Sequence, residues 1–194
     1  MPWSKDHKRA TRGRILETAS TALRAKGVAG VGVAQVMEAA GLTHGGFYAH
    51  FGSKDELVAN ALAHALEQSG KRIAPVIERA PADEKLRAVA DAYLTADHLA
   101  DTETGCPIVA LGSELVRGKG PAREAYAEHV RKRVEELEAI APGKTKLERR
   151  RAAAGTYAAM IGGLLLARAL GDAEGEKFLA QVRGFLKGSL DLSK

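Results

Sequence analysis

Between Thr43 and Lys54 the chain sets polar and aromatic groups at spacings that a hydrophobic core does not require. The stretch from Gly41 to Leu57 reads G-L-T-H-G-G-F-Y-A-H-F-G-S-K-D-E-L. Phe47 and Phe51 stand four apart, so on a short helix they share one face and point into a core. His44 and Tyr48 fall on a second face, and Thr43, Gly46 and His50 on a third. Those two faces carry hydrogen-bonding groups and aromatic edges but few bulky aliphatics. A helix so short and so polar gains little from burial, so a partner outside the fold is expected to touch it. Gly45 and Gly46 each cost a helix interior roughly 1 kcal/mol relative to Ala. They leave two readings open: an irregular loop needing positive φ, or room for close backbone approach by a partner. Ser53 and Glu56 then have the spacing of a capping box that fixes a helix start. Lys54 lies in the first turn, beside unbonded backbone N–H groups and the positive end of the helix dipole, which is an anion site.

The elements that must position these groups precede and follow them. Val33, Val36, Met37 and Ala40 follow the i, i+3, i+4, i+7 spacing of a one-sided helix, and Gly41 ends it. Thr43 is placed to cap a second helix two residues later. Helix, Gly-containing turn and short helix make a helix-turn-helix, whose second helix enters the DNA major groove.

The run A-A-G-L-T-H-G-G-F-Y-A-H-F-G-S-K-D-E-L resembles the signature of the TetR family of bacterial transcriptional regulators, over about residues 11–66. One departure is Gly32, where the family usually caps the first helix of the motif with Thr or Ser; Gly is an acceptable N-cap. The resemblance implies an all-α protein in two parts. Residues 1–70 form an N-terminal three-helix, helix-turn-helix DNA-binding domain (motif about 32–51), and residues 71–194 a larger helical effector-binding and dimerisation domain. On the family's pattern Thr43, His44, Gly45, Gly46 and Tyr48 face the groove or flanking phosphates, and His50 and Lys54 hold phosphate. The implied function is that of a repressor on a double-stranded, palindromic DNA operator, released by a small-molecule or thiol-reactive effector of unknown identity.

Charge follows the same division. The formal net charge is +5, and residues 1–75 hold ten Lys/Arg against six Asp/Glu, so most of the excess sits with the helix-turn-helix. Ala, Leu, Glu, Lys and Arg are abundant and aromatics few, which favours helix. One cysteine, Cys106, allows neither an intrachain disulfide nor a cysteine-based zinc cluster. The N-terminus has no apolar signal region. The longest uncharged run, Ala152 to Ala167, falls short of the roughly 20 residues that span a bilayer. The expectation is a soluble, cytoplasmic protein without membrane contact, metal or cofactor.

Taken in order, residues 1–10 read as a flexible basic arm (Lys5, Lys8 and Arg9, near Arg12 and Arg14). A helix is predicted over 11–26, with Ile15, Ala19, Ala22 and Leu23 buried and Gly27 ending it. The G-V-A-G-V-G run at 27–32 does not satisfy a G-x-G-x-x-G fingerprint, because Gln35 occupies the third glycine's place and no strand precedes it; it reads as a connecting loop. A long helix is predicted from Ser53, past Ile73, to near Pro75. Further helices are predicted over 83–100, from Pro107 to about 117, over 121–140, over 145–170 and over 173–190. The last two carry so much apolar surface that a two-fold contact between subunits, a homodimer, is expected through them.

Among enzyme signatures there is no G-x-S-x-G, H-E-x-x-H or P-loop. Cys106, in Gly105-Cys106-Pro107 at a helix cap, is either a thiol activated by the dipole or a buried small hydrophobe. A helical thiol enzyme or carrier centred on Cys106 is the rival to a DNA-binding regulator, which would not be an enzyme. The residues expected to wall an effector pocket are Tyr93, Ile108, Leu111, Tyr126 and Met160, with Cys106 at its mouth. A ligand there is expected to push on the helix that begins at Ser53.

Overall fold

The computed structural model describes residues 5–191. All its regular structure, among those residues, is helical: α1 (Lys5–Lys26), α2 (Val33–Ala39), a 3-10 helix (His44–Ala49), α3 (Lys54–Arg79), α4 (Lys85–Tyr93), α5 (Ala96–Ala100), α6 (Pro107–Arg117), α7 (Pro121–Glu138), α8 (Lys146–Leu170) and α9 (Asp172–Asp191). They gather into two compact units. One holds the described residues up to Gln68 together with Glu103–Ala127; the other holds Ser69–Thr102 and the described residues from Glu128 onward.

In the first unit the core is Ile15, Leu16, Ala19 and Leu23 of α1, Val36 and Met37 of α2, Phe47 and Phe51, and Leu57, Val58, Ala61, Leu62, Ala65 and Leu66 of α3. Ala22, expected in the stripe, is only half-buried, and Leu16 takes its place. Glu17 of α1 accepts from Gln68 at 2.5 Å and lies 2.8 Å from His64 Nε2, which braces α1 against α3. The His64 contact holds the Glu17 carboxyl below its ordinary range. α6 belongs to this unit as well, through Ile108, Leu111 and Leu115. One boundary between the units falls after Gln68, and residues 103–127 group with the N-terminal helices rather than with the rest of the C-terminal region. Side-chain bonds from α6 to the α1–α2 turn supply the reason.

In the second unit α8 and α9 form a helical hairpin on which α4 and α5 pack. Leu86, Val89, Leu94, Leu99, Met160, Leu164, Leu179 and Leu186 fill its interior. Thr145 caps α8 in a complete capping box with Glu148. By length and composition α8 could cross a membrane, with a mean hydropathy of 1.4 over its most apolar window. It nevertheless opens with Lys146, Glu148 and Arg149–Arg151, and it buries Met160, Leu164 and Ala167 inside its own unit.

Three predicted boundaries move. The part of the basic arm at residues 1–4 lies outside the described residues, but Lys5–Ala10 continue α1 as regular helix. That segment has no helix breaker, and Asp6 pairs with Arg9 one turn on, at 3.1 Å. α3 runs through Pro75 to Arg79. Proline removes one helix hydrogen bond, at roughly 3 kcal/mol; half-buried Ile73, Val76 and Ile77 bracket it and keep the helix packed. The helix expected over 83–100 is two, α4 and α5, broken at Leu94–Thr95. There Thr95 Oγ1 accepts the His98 N–H at 3.2 Å and starts a new helix. Arg183 of α9 takes the freed Leu94 carbonyl. Arg168 of α8 donates to the carbonyls of His98, Leu99 and Asp101, at 2.9, 3.2 and 2.7 Å.

Candidate nucleic-acid interface

The recognition segment is a single 3-10 helix set on a two-ring foundation. Phe47 and Phe51 are 2% and 1% exposed, and their rings stack with centroids 5.8 Å apart. The Arg12 guanidinium lies 4.8 Å from the Phe51 ring centroid and donates to Asn60 Oδ1 at 2.9 Å. The foundation is therefore tied to both α1 and α3. Tyr48, the next residue after Phe47, meets the Phe47 ring edge-on at 5.2 Å and is 70% exposed.

Around Tyr48 the expected residues are on the surface. Thr43, His44, Gly45 and Lys54 are exposed, and Gly46 and His50 are half-buried. Thr43 has extended backbone before the helix but makes no side-chain cap bond, contrary to expectation. The opening is 3-10, which tightens the turn, and the Gly46 N–H goes to the Thr43 backbone carbonyl at 3.0 Å. Neither Gly45 nor Gly46 has positive φ; Gly41, which ends α2, has φ +70°. A Cβ at Gly45 would meet nothing within 4 Å. The loop reading, which needs positive φ, does not hold; Gly45 leaves open space, whereas a Cβ at Gly46 would stand 3.6 Å from Met37 Cε and 3.8 Å from Thr43 Oγ1.

Lys54 sits at the start of α3. Ser53 Oγ accepts the Glu56 N–H at 3.1 Å, and Glu56 Oε2 accepts the Gly52 N–H at 2.8 Å. The cap is the expected one shifted by a residue on its return bond. Lys54 is exposed in the first turn of α3, and a helix N-terminus favours an anion.

Beside the recognition helix a groove of about 460 Å³ is lined by Lys8, Thr11, Met37, Leu42, Thr43, Gly46, Ala49 and His50. Among the described residues its lining carries no carboxylate. His50 Nδ1 is buried there without a hydrogen-bond partner. Burial, and then the charges of Lys8 and Arg12, hold the His50 imidazolium below its ordinary pKa. Thr11 was not expected at the site, and Lys8 was expected in a flexible arm. The signal that could have placed both is their spacing of three on a helix begun at Lys5 instead of residue 11.

The six residues expected around an effector are divided. Cys106, Ile108, Leu111 and Tyr126 belong to the first unit, Tyr93 and Met160 to the second. All are buried except half-buried Tyr126. The Tyr126 hydroxyl lies against Gly112, 2.8 Å from where a Cβ would stand. Burial, and then Cys106, raise the pKa of its phenol. Cys106 is the N-cap of α6, with Pro107 as the first helical residue. Tyr93 meets the His98 ring edge-on at 4.4 Å.

Residues 15–61 match the family profile described as bacterial regulatory proteins, tetR family, and residues 82–182 match the tetracyclin repressor-like, C-terminal domain. The chain is 37% identical over 75 residues to the HTH-type transcriptional regulator TtgR of Pseudomonas putida; the match spans 39% of this chain and only 35% of that protein. Among solved structures, a TetR transcriptional regulator from Chloroflexus aurantiacus superposes with a TM-score of 0.79 at 23% identity, covering 93% of this chain and 96% of that one. A TetR-family regulator from Cytophaga hutchinsonii superposes with a TM-score of 0.80 at 20% identity, covering 97% and 98%.

Proposed function

The chain belongs to the tetR family of bacterial regulatory proteins, a family of DNA-binding regulators rather than enzymes, and on that premise we propose that it is a homodimeric repressor that occupies a palindromic operator and leaves it when a small effector binds. Exposed Tyr48 on a buried Phe47–Phe51 base is the observation that carries the reading. A short helix held rigidly from behind, with its aromatic and polar groups outward, suits insertion into a major groove. Thr43, His44, Gly45, Gly46 and Tyr48 read the groove and its edges. Lys54, His50 and Lys8 meet phosphates, where contacts position the protein without reading sequence.

Residues 1–70 carry the DNA-binding role and residues 71–194 the effector and dimer roles. The dimer forms through α8 and α9. Leu165, Leu166 and Leu170 of α8 and Phe185 of α9 are exposed, an apolar surface larger than isolated side chains explain. Small residues Gly155, Ala158 and Gly162 on α8 let a partner helix approach closely. The protein works in the cytoplasm, where its operator is. Cys106 gives a thiol-reactive effector a target beside α6, instead of or as well as a reversible ligand. The decisive experiment is a gel shift with the DNA flanking the protein's own gene. Retention of that DNA against an excess of unrelated duplex supports the reading; equal retention of both refutes a sequence-specific regulator.

A further inference from the structure

The turn between α1 and α2 is held by a residue far along the chain. α1 ends at Gly27 in the left-handed region, φ +72°, with its N–H still bonded to the Leu23 carbonyl at 2.9 Å. The next two amides point away from the helix. Val28 N–H donates to Glu114 Oε2 at 2.8 Å and Ala29 N–H to Glu114 Oε1 at 3.1 Å. Glu114 lies on α6, so one carboxylate grips two consecutive amides with both of its oxygens. It does so near the C-terminal end of α1, where the helix dipole disfavours negative charge. The hydrogen bonds therefore hold it there, not the field. The turn also has room for it only because Gly27 lacks a side chain: a Cβ would stand 2.8 Å from Glu114 Oε2.

A second tie lies at the other end of the same stretch. Arg24 Nε donates to the Glu103 carbonyl at 2.5 Å. Residues 103–114 are thus fastened at both ends to the last turn of α1 and the turn after it. Val31, 2% exposed, anchors that turn to the core, and α2 begins at Val33 immediately beyond. Where the turn sits decides where α2 starts, and α2 packs against the recognition helix.

We propose that Glu114 is a positioning residue for DNA recognition, its carboxylate latching the α1–α2 turn, and through α2 the recognition helix, to α6. The proposal rests on the DNA-binding reading above. It adds a route: a displacement of α6 pulls directly on the turn before α2, without travelling along α3. Because the latch touches no DNA, it acts on the attitude of the reading helix and leaves the phosphate contacts in number as they are.

The test uses full-length protein and a duplex recovered by the wild type from a random-sequence pool, with versions in which the half-site spacing is changed by one or two base pairs. Glu114→Ala removes both acceptors; Glu114→Gln keeps the shape and one acceptor oxygen. Amide hydrogen exchange at Val28 and Ala29 reports the latch itself, and Glu135→Gln, on exposed α7, is the control. Both Glu114 variants are expected to speed exchange at those two amides. They should weaken binding about tenfold or more, the effect of about one lost charge-assisted hydrogen bond, and flatten the preference for one spacing. The salt dependence of binding should stay that of the wild type. A general structural weakening would instead speed exchange throughout the first unit. Faster exchange at Val28 and Ala29 with unchanged affinity and spacing preference would overturn the proposal. So would failure of both variants to fold, because a latch on one turn does not determine the fold. A wild type that recovers no duplex would overturn it together with the functional reading, and is distinguishable because no variant is needed to see it.

Discussion

Phe47 and Tyr48 are neighbours in the chain and lie on opposite sides of the recognition helix, one closed into a core and one open to solvent. Removing each should therefore have different consequences. Phe47→Ala deletes a buried ring stacked on Phe51 and is expected to destabilise the first unit by roughly 3–5 kcal/mol, seen as a lowered melting temperature. Tyr48→Ala and Lys54→Ala open no cavity and should leave the melt unchanged while weakening operator binding. A Tyr48→Ala protein that melts as early as Phe47→Ala would reverse the assignment of faces. His50 gives a pH signature. Burial, and then Lys8 and Arg12, lower its pKa from the ordinary imidazole value in the free protein. A phosphate beside it would favour the charged form, so binding takes up a proton and should tighten from about pH 8 to about pH 6. Stability moves the other way. A depressed folded-state value means a contribution present above the ordinary imidazole value and lost as pH falls through the folded one. His50→Gln should flatten the pH dependence of operator affinity; a wild type already flat over that range would show that no phosphate meets this ring.

At the scale of elements, the helix-turn-helix was legible because its signals are local. Spacings of three and four place Val36, Met37, Phe47 and Phe51 inward, Gly41 stops α2, and Ser53 with Glu56 starts α3, all within a few residues of what they control. The break between α4 and α5 was not legible. Thr95 is an ordinary residue in a periodic stretch, and the groups that make the break tolerable come from distant helices, Arg168 on α8 and Arg183 on α9. The same holds for Pro75, where packing on both sides outweighs a local breaker. Glu114 carries no local signal in the sequence, where it is one more charge near the end of an amphipathic helix, and only the fold brings it to Val28. Arg168→Met tests the α5 case. Its loss strands three half-buried carbonyl groups and is expected to cost the second unit about 2–4 kcal/mol. An unchanged melting temperature would mean that water satisfies those carbonyls as well as the guanidinium does.

The whole molecule works, on this account, as a pair. α8 and α9 leave Leu165, Leu166, Leu170 and Phe185 exposed, and the proposed two-fold contact would cover them with a second copy of the same surface. Leu166→Asp combined with Phe185→Asp places like charges across that contact. The variant should sediment as a monomer, with its helical content intact, and lose operator affinity, because each half-site is then bound alone. A variant that remains a dimer would move the interface elsewhere. Effector binding belongs to the same scale. If effector and operator favour different arrangements of the dimer, each weakens the other's binding by the same factor, whether the signal passes along α3 or through α6 and Glu114.

The surface around Tyr48 is proposed to bind DNA through its phosphates. The most direct test is the dependence of operator affinity on salt. If Lys54, His50, Lys8, first-turn amides and their symmetry mates bring a dimer to about 6–10 phosphate contacts, as proposed, affinity should fall roughly 10³-fold or more between 50 and 200 mM salt. Lys54→Ala should lower the slope, and Tyr48→Ala should weaken binding with the slope changed less. An affinity that does not change across that range would contradict the account.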